Sequence, residues 1–159
     1  MHSASPFWAR VERANTILLA GCGGGFDIFQ GMPVYSAIRS MPGNKQLHLA
    51  SLNFSAIYDG EHGIASMGKC AARHEAQCVY ASDDQPGSSE VVMTVVDSDW
   101  ELSQEWEEKA GRRTFPELQL ARFLKDEYSE DIPVYTFDRV GPALLLRGYR
   151  ALLQRWVLV

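Results

Sequence analysis

The chain has 159 residues, a formal net charge of −5, 46% hydrophobic residues and 22% charged residues. That length fits one globular domain, able to bury roughly two-thirds of the surface its unfolded chain exposes. The acidic balance excludes the basic face of a nucleic-acid binder, and no run approaches the ~18 apolar residues of a membrane span, so neither nucleic acid nor membrane is an expected partner.

Ser5-Pro6 ahead of Phe7, Trp8 and Val11 predicts a short capped helix, with the proline in the first turn where a missing N–H costs nothing. Thr16-Ile17-Leu18-Leu19-Ala20 is a continuous apolar run of strand length, expected as an inner strand covered on both faces. Arg10, Glu12 and Arg13 precede this run, which ends in glycines rather than at a cleavage site, so no secretory signal is read. With three cysteines, Cys22, Cys70 and Cys78, the odd count reads as reduced thiols, and the expected location is cytoplasmic.

Five of the eleven residues from Gly21 to Gly31 are glycine. A helix follows, bearing Val34, Tyr35, Ala37, Ile38 and Met41. Pro33 places its start near Met32 after an unusually long loop, or else at Asp27 with a kink at the proline; the first is favoured. Pro42-Gly43-Asn44 reads as a turn and Gln46 to Leu52 as a second strand, which completes a βαβ unit.

Between Asn53 and Gly111 two strands are legible, Cys78 to Ala81 and Val91 to Val96, separated by Asp83-Asp84-Gln85-Pro86-Gly87. Six acids between Asp97 and Glu108 read as a solvated helix face. Phe115-Pro116 opens a helix with Leu120, Phe123, Leu124 and Tyr128 on one side, and Ile132 to Phe137 is another apolar strand. Gly141-Pro142 opens a last helix with Leu145, Tyr149, Leu152, Leu153 and Trp156 at helical spacing. Residues 1–159 thus read as a single Rossmann-like α/β domain, a mainly parallel sheet with helices on both faces.

The candidate ligand site is Gly21-Cys22-Gly23-Gly24-Gly25-Phe26-Asp27. In open parallel sheets ligands bind beyond the carboxyl ends of the strands, where glycines let backbone N–H groups approach an anion at a helix N-terminus. Three glycines in succession exceed what a tight turn needs, so Gly21, Gly23, Gly24 and Gly25 are candidate backbone donors. The spacing is not G-x-G-x-x-G, because Phe26 takes the third glycine position, and no Gly-Lys-Ser/Thr ending makes it a P-loop. Asp27 would repel phosphate unless a cation lay between them. It therefore grips a ribose or sugar hydroxyl, bridges to an anion through Mg²⁺, or simply caps the helix.

Asn53 and Ser55, with Asp97 and Asp99, are expected at strand ends flanking the same crevice. Cys22 reads as a small apolar filler, with a nucleophilic thiol as the alternative. Cys70, His74 and Cys78 are four residues apart, with His62 as a further zinc-type ligand; a packed helix face is the expected reading, and no metal site is assigned. The expected ligand is a nucleotide or sugar-phosphate-type small molecule. The alternative is a non-catalytic remnant or interaction module whose loop is only architecture. No catalytic residue is assigned.

ILLAGCGGGFDIFQGMP from Ile17 to Pro33, LHLASLNFS from Leu47 to Ser55, FPELQLARFL from Phe115 to Leu124 and PVYTFDRVG from Pro133 to Gly141 resemble the domain-of-unknown-function 1152 family. The resemblance implies a Rossmann-type α/β fold and carries over no catalytic residues. It also implies that this chain corresponds to the N-terminal half of the family's domain. A sheet lacking later strands would expose an edge, so a homo-oligomer is an expected partner state.

Overall fold

The structure, a computed structural model, describes residues 5–24, 27–52, 68–70, 77–79, 91–102, 115–137 and 142–157. The elements run α1 (Pro6–Arg13), β1 (Thr16–Gly24), α2 (Asp27–Gln30), α3 (Met32–Arg39), β2 (Gln46–Leu52), β3 (Gly68–Cys70) and β4 (Gln77–Val79). They continue through β5 (Val91–Val96), β6 (Trp100–Leu102), α4 (Pro116–Tyr128), β7 (Val134–Phe137) and α5 (Pro142–Val157). Five strands form one sheet in the order β1-β2-β7-β5-β4, while β3 and β6 form a separate antiparallel pair.

β1, β2 and β7 are parallel; β5 is antiparallel to β7, and β4 to β5, so four of the five strands point one way. The result is a mixed, mostly parallel α/β sheet. Alternating side chains sort its core into two layers. Ile17, Leu19, Leu47, Leu49 and Val134 pack under α1, α2, α3 and α4 through Val11, Ile28, Tyr35, Ile38, Leu120 and Leu124. Leu18, Ala20, Ala50, Leu52, Tyr135 and Phe137 pack with Met93 and Val95 under Leu145, Tyr149 and Leu152 of α5. Helices therefore cover both faces, as expected.

β1 is not the inner strand its apolar run predicts. Among the described residues it is the outermost strand, hydrogen-bonded to β2 alone. An apolar run reports that both faces are covered, and they are; it carries no information about lateral neighbours. In doubly wound nucleotide folds the first strand is central, so this order differs from theirs in the position of β1.

α3 starts at Met32 with Pro33 in its first turn, the favoured start, where proline needs no N–H partner. The departure is ahead of it: a single separate turn, α2 (Asp27–Gln30), takes up most of the expected long loop. Two helical faces are shifted as well. α4 buries Leu118, Leu120, Ala121 and Leu124 and leaves Phe123 and Tyr128 exposed, and α5 exposes Leu153. Ser5 occupies the N-cap of α1 without making a side-chain cap bond.

Polar ties fix the layers. Lys45, at the start of β2, donates through Nζ to the carbonyls of Glu12 and Ala14 at 2.8 Å each, holding α1 to the sheet. The Tyr35 hydroxyl of α3 donates to Glu130 beyond α4, and Arg39 donates to the same carboxylate at 2.7 Å. α4 ends in a left-handed Ser129, with the Glu130 N–H returning to the Leu124 carbonyl, a Schellman-type stop. No helix among the described residues is long and apolar enough to cross a membrane.

Candidate functional site

Gly21 to Gly24 are not a loop but the distorted end of β1. Ala20 pairs with Ala50, and the next pair is Gly24 with Leu52, so four steps along β1 match two along β2. The surplus residues form a bulge at the sheet edge, a distortion that residues without a Cβ accommodate readily. Gly21 is held from two sides. A Cβ there would stand 3.3 Å from the Ile28 amide nitrogen, and its carbonyl accepts the Tyr149 hydroxyl of α5 at 2.8 Å. Gly31 is equally confined, since a Cβ would meet Leu19 at 3.1 Å and the Ile28 carbonyl oxygen at 3.2 Å. Close approach of α2 to β1 thus favours glycine at both positions, since any Cβ would push its neighbours back by a few tenths of an ångström.

That approach leaves an open cleft of about 360 Å³ between the end of β1 and α2, lined by Leu19, Ala20, Gly21, Asp27, Ile28, Gln30 and Gly31. Asp27 and Gln30 are exposed and three residues apart, so both lie on one side of the single turn of α2. The carboxylate accepts hydrogen bonds; the carboxamide both donates and accepts. Among the described residues no lysine or arginine lines the cleft. This chemistry suits hydroxyls or a bridging cation better than a bare phosphate.

Of the predicted site residues, Gly21 and Asp27 line this cleft, and Gly23 and Gly24 lie further along the same bulged strand. Gly25, Asn53 and Ser55 lie outside the described residues, although Gly24 pairs with Leu52, the residue before Asn53. Asp97 and Asp99 do not belong here. β5 runs against β7 with Val96 opposite Val134, so both aspartates follow β5 at the amino end of the parallel strands. There Asp99 pairs with Lys125 at 2.8 Å, and the Ser98 hydroxyl donates to Asp131 at 2.9 Å.

The cysteine–histidine series fails as a helical face. Cys70 lies in β3 and Cys78 in β4, which belong to different sheets, while His62 and His74 lie outside the described residues. Among the described residues no histidine, cysteine or carboxylate cluster suits a metal ion.

Sequence reasoning missed one buried group. Glu117, in the first turn of α4, is fully buried; its carboxyl accepts the Ser51 hydroxyl at 2.8 Å. Burial pushes its pKa up from the usual carboxylate range, against the opposing pull of the Ser51 bond and its own backbone N–H. The signal was present, because Glu117 stands three, four and seven residues before Leu120, Ala121 and Leu124, on the apolar face itself. An acid in a first helical turn is ordinarily a dipole-matched surface residue, so position alone does not mark it as buried.

Compared with protein-family models, with curated proteins and with solved structures, the chain has no significant match.

Proposed function

We propose that the chain is a Rossmann-like α/β protein that binds a nucleotide or sugar-phosphate-type small molecule at the glycine-rich end of β1. Asp27 and Gln30 take a hydroxyl of its sugar. The observation that carries this is the cleft of about 360 Å³ whose polar walls are a carboxylate and a carboxamide. Small-molecule sites occupy roughly 300–1,000 Å³, so the space suits one sugar or ribose unit rather than a whole dinucleotide. A phosphate on such a ligand would face the backbone of Gly23 and Gly24 at the carboxyl end of β1, or reach Asp27 through Mg²⁺.

Thermal unfolding with ATP, UDP-glucose and simple sugar phosphates, each with and without Mg²⁺, tests the reading. A ligand at about 100 times its Kd raises stability by roughly 2.7 kcal/mol if it binds only the folded state. Asp27→Asn, which keeps the shape and removes the charge, is expected to weaken that ligand about tenfold. A ligand bound equally by wild type and variant would place the site elsewhere. The second reading, a binding-free remnant or interaction module, is favoured by the packing that explains Gly21 and Gly31 without a ligand. It predicts no shift across the whole panel.

A further inference from the structure

Gly21, a wall of the cleft, is gripped from the far face of the sheet. Tyr149, midway along α5, donates its hydroxyl to the Gly21 carbonyl at 2.8 Å, a tie between residues 128 apart in the chain. Its ring is braced by Phe137, edge to face with centroids 5.1 Å apart. Tyr149 packs in the layer under α5, with Leu18 and Ala20. Leu19 and Ile28, which line the cleft, pack in the opposite layer. The hydroxyl therefore reaches Gly21 from the side of the sheet away from α2.

In a regular strand the carbonyls point along the hydrogen-bonding direction, toward neighbouring strands. Gly21 stands where that pattern breaks. It follows Ala20, the last residue of β1 before the register against β2 shifts, and its carbonyl is taken by a helix side chain. A peptide unit is planar and trans, so its carbonyl and the N–H of the next residue point in opposite directions. A Gly21 carbonyl turned toward α5 thus turns the Cys22 N–H toward the α2 side, where the cleft opens against Gly21. Glycine permits this arrangement, because a Cβ would stand 3.3 Å from the Ile28 amide nitrogen.

We infer that Tyr149 is a positioning residue of the cleft, holding the Gly21–Cys22 peptide unit so that the Cys22 N–H meets an acceptor oxygen of the bound molecule. This role rests on the cleft being the ligand site proposed above. Among the described lining side chains only the Gln30 carboxamide can donate, while Asp27 accepts. A sugar or phosphate rich in acceptor oxygens therefore draws on the backbone. A donor fixed before the ligand arrives spares the cost of ordering it on binding, and fixing it is what the Tyr149 hydroxyl contributes.

Tyr149→Phe keeps the ring against Phe137 and removes only the hydroxyl. Two measurements on the isotope-labelled full chain, well below its melting temperature, test the role. The Gly21 carbonyl carbon, followed by NMR without ligand, reports the bond; calorimetric titration with UDP-glucose and with ATP, each with Mg²⁺, reports the cleft. Tyr149→Phe is expected to move the Gly21 resonance upfield, leave the carbonyls of β2 and β7 in place, and weaken binding about tenfold. Ser98→Ala, which loses a bond to Asp131 at the opposite end of the strands, is expected to change neither readout. An unmoved Gly21 resonance in Tyr149→Phe would overturn the hold, and an equal loss of affinity in Ser98→Ala would assign the effect to general destabilisation. A moved resonance with unchanged affinity would overturn the positioning role alone, leaving the cleft as the binding site. Absence of binding by wild type would overturn the ligand reading and the role together.

Discussion

Phe137→Ala is expected to lower stability by roughly 3–5 kcal/mol, the range for truncating a buried aromatic side chain. Phe137 is fully buried at the carboxyl end of β7, paired with Leu52 on one side and Met93 on the other. Its ring meets Tyr149 edge to face with centroids 5.1 Å apart, and Tyr149 in turn donates to the Gly21 carbonyl at 2.8 Å. Removing the ring opens a cavity in the second layer and takes away the surface that orients Tyr149 toward the β1 bulge. Tyr149→Phe should cost far less, about 0.5–1.5 kcal/mol, because it loses one hydrogen bond and keeps the packing. Urea unfolding of both variants, with unchanged m-values, checks the pair. A cost for Phe137→Ala no larger than that for Tyr149→Phe would contradict the packing described.

Glu117→Gln is expected to remove a loss of stability that wild type suffers as pH rises. Burial raises the folded carboxyl above its unfolded value of about 4.5. Between those values the folded state keeps a proton that the unfolded state has released, so stability falls as pH climbs through the window and stays lower above it. His48 acts in the opposite sense. Burial lowers its pKa below 6.5, so the unfolded state binds the extra proton and stability rises with pH up to that value. In wild type the two trends oppose each other; in Glu117→Gln the falling one is gone. Melting temperatures measured across a pH series check this, and parallel curves for the two proteins would contradict a buried, destabilised carboxyl.

Much of the element order was legible because it rests on local rules. Gln46–Leu52 and Val91–Val96 appear with the bounds their apolar runs predict, and Pro6, Pro116 and Pro142 each open a helix. What failed was information that no local pattern holds. Whether β1 lies inside or outside the sheet depends on neighbours far along the chain, and so does the direction of β5. That direction sent Asp97 and Asp99 to the far end from the cleft. The glycine run was recognised as special, but half of its meaning is packing. Gly21 and Gly31 let α2 settle against β1, while Gly23 and Gly24 form the bulge beside it. Glu117 escaped notice because an acid at a helix start satisfies a surface rule and a burial pattern equally well.

If a small molecule binds at the bulged, glycine-rich end of β1, a side chain at position 24 removes that binding, and calorimetric titration of wild type and Gly24→Val with ATP and UDP-glucose in the presence of Mg²⁺ measures it. Valine suits an edge strand, so the fold should survive, with unchanged circular dichroism, while its branched side chain blocks close approach to the backbone beside Leu52. The expected result is measurable binding by wild type and none by a folded Gly24→Val. Equal affinity in the two proteins would contradict the claim.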